Sequence, residues 1–134
     1  YALSAGGRKA AVVTDLGYVT PEVERGIRGA DLLVCEANHD VEWLQAGPYP
    51  YYLKARILGD RGHLSNEAGA ELAWTAVAGG ARTVVLAHLS HENNTPARAH
   101  EVVRGLLERW GAAVGRDVAL EVAPRNEVSR RYLV

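Results

Sequence analysis

The 134-residue sequence has no methionine, a single cysteine, no surplus of either charge and no long apolar run. Each shortage excludes something. Cys35 cannot close an internal disulfide, and within Leu32-Leu33-Val34-Cys35 it reads as a small buried hydrophobe, which fits a reducing, cytoplasmic compartment. With 15 basic side chains against 16 acidic ones, the formal charge of −1 gives no global field for nucleic acid or an anionic membrane, so any nucleic acid must be held locally. No stretch nears the roughly 20 apolar residues of a membrane-spanning helix, and the first residues are not a basic-then-apolar signal segment. Without a methionine, Tyr1-Ala2-Leu3-Ser4 runs through a glycine turn straight into a strand, a start that reads as mid-domain. Repeats, low-complexity tracts and linkers are also missing.

What is present is enough for one domain: 48% hydrophobic residues can close a core at this length. Arg8 to Thr14 reads as a buried strand, joined to Tyr1–Ser4 as a hairpin through Ala5-Gly6-Gly7. Leu32–Cys35, Thr83–Ala87 and Val118–Val122 read as further strands, and Val128–Val134 as a tail with some strand character. Thr20-Pro21 and Thr95-Pro96 start helices, with threonine as cap and proline at the first helical position, while Ser65 caps an alanine-rich helix ending at Gly79-Gly80. Shorter helices fit Val41–Gln45 and Tyr51–Leu58. Strands alternating with helices make the chain α/β, and polar residues recur at strand ends, where such folds hold ligands.

Those ends and loops deliver Asp15, His63 and His88, residue types that bind divalent metals or move protons. Val12-Val13-Thr14-Asp15-Leu16-Gly17, Gly62-His63-Leu64-Ser65 and Leu86-Ala87-His88-Leu89-Ser90, in that order, resemble later motifs of the metallo-β-lactamase superfamily. The longer strings Cys35-Glu36-Ala37-Asn38-His39-Asp40, Pro48-Tyr49-Pro50-Tyr51-Tyr52-Leu53-Lys54 and His88 through Pro96 resemble its YycJ/VicX-type exonuclease branch. The resemblance implies the C-terminal half of an αββα sandwich, a mixed sheet with flanking helices over residues 1–134. It implies two divalent metal ions, zinc or manganese, and 5′ to 3′ hydrolysis of DNA. Asp15 would be the bridging metal ligand and part of the catalytic apparatus, and His88 a terminal ligand. His63 would contact the scissile phosphate or protonate the leaving oxygen. Glu36, Asn38 and His39 would orient ligands or meet substrate, and His91 would stand at the rim.

The His-x-His-x-Asp-His signature of the superfamily is absent, so this chain alone is expected to be inactive and to need an N-terminal half of the same fold. Taken singly the residues have plainer readings: an aspartate after a strand is a turn former or cap, and His63 a loop histidine bonded to backbone. At least two of Tyr49, Tyr51 and Tyr52 are expected to pack rather than stack on bases. Two alternatives stay open. One is a thioester or lactone hydrolase of the same superfamily; the other is a non-catalytic half-domain that pairs with a complementary chain or, through exposed strand edges, with itself as a homo-oligomer.

Overall fold

In the computed structural model, which describes residues 1–134, the chain opens with the expected hairpin: β1 (Ala2–Ala5) pairs antiparallel with β2 (Arg8–Val13). Gly6 and Gly7 turn it with φ of 56° and 78°, a left-handed pair that a two-residue hairpin loop requires. Beyond it, β3 (Leu32–Glu36), β4 (Thr83–Ala87) and β5 (Ala119–Val122) add in parallel, and the sheet order is the chain order, β1-β2-β3-β4-β5.

That order dictates where the helices go. Every parallel crossover steps one strand in the same direction, and right-handed connections then place all the crossover helices on one face. α1 (Pro21–Ile27) packs on β2, α4 (Asn66–Ala78) on β3 and α5 (Pro96–Arg109) on β5, with α4 between the other two. Ala11, Leu33, Val84 and Leu120 stand in register across the sheet on this face. They join Ile27, Leu72, Ala73, Val103 and Leu107 in a continuous core. Thr20, Ser65 and Thr95 cap their helices as expected, each accepting a hydrogen bond from the amide three residues on.

The opposite face carries Ala10, Val12, Leu32, Val34 and Val85 and no crossover helix; Val12 is 38% exposed. The C-terminal residues return there, where Arg130 and Tyr132 both bond Glu121. They form no strand, so the strand character expected of Val128–Val134 is not realised: the segment is held by side-chain bonds to Glu121 rather than by a backbone ladder. The architecture is α/β, a mixed five-stranded sheet with flanking helices, consistent with half of a metallo-β-lactamase sandwich. No helix is long and apolar enough to cross a membrane.

α2 (Val41–Ala46) and α3 (Tyr51–Leu58) fill the connection from β3 to α4. Asp40 caps α2, its Oδ1 accepting from Trp43 N at 3.0 Å. Burial pushes the Asp40 carboxyl up, but the Trp43 amide and the Arg98 guanidinium, 2.7 Å away, outweigh it and hold the carboxyl below its ordinary range.

Candidate metal centre

Parallel strands end together, and the ends of β2, β3 and β4 meet here. Asp15 follows β2 with φ 60° and His88 follows β4 with φ 57°, the chain's two non-glycine residues in the left-handed region. Aspartate and histidine tolerate that region better than most residues, but the conformation is still uphill, and such strain gathers at functional sites. The turn points both side chains to one place: His88 Nε2 lies 3.7 Å from Asp15 Oδ1. His63 arrives from the loop after α3, its ring centroid 5.2 Å from that of His88. Asp15, His63 and His88 each offer one ligand atom, all within 4.8 Å of one another.

Glu36, the last residue of β3, organises the three. It is wholly buried, and its Oε1 lies 2.7 Å from Nδ1 of both His63 and His88. Its Oε2 accepts from Leu16 N at 3.2 Å, beside Asp15, and from Leu64 N at 3.4 Å, beside His63. An ionised carboxylate only accepts hydrogen bonds, so both imidazoles donate through Nδ1 and keep the Nε2 lone pair for another partner. That is the arrangement by which carboxylates orient metal-binding histidines.

The backbone around Glu36 is fixed by a second layer. Residues 37–40 continue β3 between two flanking segments: Asn38 N donates to Leu64 O, Asn66 N to His39 O, and Ser90 N to Asn38 O. Asn66 and Asn94, both buried, bond each other side chain to side chain, and Asn94 Nδ2 also donates to Ala37 O at 2.9 Å. Asn38 Nδ2 donates to His88 O at 2.7 Å and so holds the strand end that carries His88. Two glycines permit close approach: a Cβ at Gly69 would come 2.4 Å from Glu36 O, and one at Gly17 would come 2.2 Å from Asp60 O.

Among the other expected residues, His39 bonds none of these ligands. The residue is 1% exposed, and neither ring nitrogen makes a hydrogen bond within the chain. Burial lowers its pKa; the fields of Glu67, Glu36 and Asp40 oppose that, and His63 adds to it. His91 is at the surface, paired with Glu92 at 3.0 Å. Tyr51 and Tyr52 are 86% and 73% exposed, which corrects the expectation that at least two of the tyrosines pack: α3 turns both outward and buries no residue of its own.

No family model matches the sequence. Among characterised proteins, the chain is 42% identical to "Exodeoxyribonuclease YycJ" of Bacillus anthracis over 99% of its own length and 51% of that relative. It is also 42% identical to "Exodeoxyribonuclease WalJ" of Streptococcus pneumoniae, over 79% of this chain and 39% of the relative. Along the residues it contains, the chain is thus a sequence relative of the YycJ and WalJ exodeoxyribonucleases, and it spans about half the length of the first of them.

Proposed function

We propose that residues 1–134 are half of a metallo-β-lactamase-fold domain and supply part of a dinuclear metal site that hydrolyses DNA from the 5′ end. The observation that carries this reading is the shared carboxylate: Glu36 Oε1 holds both His63 and His88 by Nδ1, which leaves each Nε2 for another partner, that of His88 3.7 Å from Asp15 Oδ1. Asp15 and His88 would hold metal, zinc or manganese, as their share of a two-ion site. Bound there, such ions lower the pKa of a water and neutralise phosphate charge. With Nδ1 donating to Glu36, His63 has only Nε2 to meet the leaving oxygen; that nitrogen would take up a proton from water and hand it to the departing oxygen.

Asp15 and His88 are too few ligands for two ions, and the relatives are about twice as long as this chain. The remaining ligands would come from an N-terminal half of the same fold, seated on the open sheet face, where the exposed Val12 and half-buried Val34 offer an apolar surface. A reducing, cytoplasmic setting is supported by the lone cysteine, whose thiol is pushed up to about 12 by burial.

The test uses protein of the relatives' full length containing these residues. Metal analysis should find about two ions per chain, falling by at least one in Asp15→Ala and His88→Ala, and both variants should lose digestion of a labelled oligonucleotide. Metal-loaded protein that leaves DNA intact, or variants that keep both metal and activity, would overturn the reading.

A further inference from the structure

A cleft of about 330 Å³ opens next to His63, between α3, the loop that carries His63 and the loop after β4. Leu53, Arg56 and Ile57 share the face of α3 that lines it, as the i, i+3, i+4 spacing of a helix requires, and Tyr49, Arg61, Asn38 and Ser90 complete it. No carboxylate lines it. Six of the 13 arginines pair with Asp or Glu; Arg56 and Arg61 are among the seven that do not, and they are the two that line this cleft. Two unneutralised guanidinium groups beside one cleft favour an anion, and a chain of net charge −1 needs such a local source of attraction to hold DNA.

The cleft's geometry is tied to the candidate metal centre. His63 N donates to Ile57 O at 3.1 Å, and a Cβ at Gly62 would lie 1.9 Å from that same carbonyl, so only glycine lets the loop close on the end of α3. Arg61 and His63 flank this glycine, while Arg56 precedes Ile57. Ser90 Oγ accepts from Asn93 N, which leaves its own proton to donate into the cleft.

We propose that this cleft is a phosphate subsite for the DNA strand being cut, with Arg56 and Arg61 as its cations, adjoining the point where His63 meets the scissile phosphate. The inference rests on the nuclease reading given above. Its ligand is a nucleotide phosphate, either the terminal 5′-phosphate or a backbone phosphate one step from the cut.

The test measures binding of 3′-labelled single strands, one 5′-phosphorylated and one with a 5′-hydroxyl, to full-length protein silenced by Asp15→Ala. The Arg56→Ala/Arg61→Ala double variant in that background should bind roughly ten- to hundredfold more weakly, the usual loss for charged hydrogen bonds. Loss confined to the phosphorylated strand assigns the terminal phosphate; equal loss on both assigns a backbone phosphate. The lysine double variant keeps the charge without the planar fork and should recover part of the affinity. Recovery of none would mean that the alanine loss came from a disturbed α3, and would overturn the subsite. Unchanged binding of both strands, with wild-type protein still degrading DNA, would overturn the subsite alone. Wild-type protein that fails to degrade DNA overturns the nuclease reading instead.

Discussion

Strand β3 has a carboxylate at each end, and the two are kept in opposite ways. Asp31, just before the strand, meets a permanent cation: Arg8 Nη1 lies 2.9 Å from Oδ1, and Lys9 N donates to Oδ2 at 2.8 Å. The Lys9 amide first, and the Arg8 guanidinium with it, hold the Asp31 carboxyl below its ordinary range. Glu36, closing the strand, is fully buried and touches neither lysine nor arginine; its partners are two imidazoles and two backbone amides. A carboxylate that serves only to join a strand to its neighbour can take a fixed ion pair at the surface. One that must leave two nitrogens free for a third party is better served by histidines, whose protons can be shared out between ring atoms.

Replacing Glu36 with glutamine should break this contrast most severely. Glutamine keeps the volume but has one acceptor atom for four donors, so unsatisfied buried groups remain, at a cost of about 1–3 kcal/mol in stability. Metal affinity of the full-length protein should fall roughly 10- to 100-fold, as when a carboxylate behind a metal-binding histidine is lost. Thermal melts and metal titration read the two effects separately. Near-wild-type metal affinity would show that Glu36 is a structural group like Asp31.

His39 is the reverse of His63 and His88, a buried ring without a carboxylate partner. Its pKa is below the ordinary 6.5, so on acidification the unfolded chain takes the proton first. Stability is therefore lost as the pH falls from 6.5 toward the folded-state value, and not further below it. In His39→Leu the melting temperature should depend less on pH across that window. An identical pH profile in wild type and variant would refute this.

Asp31→Asn should have the smallest effect, because an exposed ion pair contributes little and salt screens it. What it contributes is present above the ordinary 3.8 and disappears as the pH falls through the depressed folded value, so the variant should match wild type in strong acid. A loss at neutral pH as large as that of Glu36→Gln would remove the distinction between the two ends.

The strands and helix starts were legible because their signals are local: runs of valine and leucine, and Thr-Pro or serine caps. The gathering of Asp15, His63 and His88 was legible only through resemblance, since spacing does not say that three loops meet. Glu36 was harder still. In the sequence it is one acid after an apolar strand, while its role depends on rings 27 and 52 residues away. Tyr51 and Tyr52 misled for the same reason: aromatic residues usually bury, but a short helix across the mouth of the connection has no core to bury them in.

The left-handed backbone at Asp15 and His88 also bears on how this chain would respond to selection for stability alone. Glycine at either position would release about 1–3 kcal/mol of conformational strain. A library screened only for heat resistance should therefore drift toward glycine at those two positions and discard the candidate ligands. Retention of Asp and His there against that gradient would be a record of function, readable from variant frequencies without any assay of catalysis.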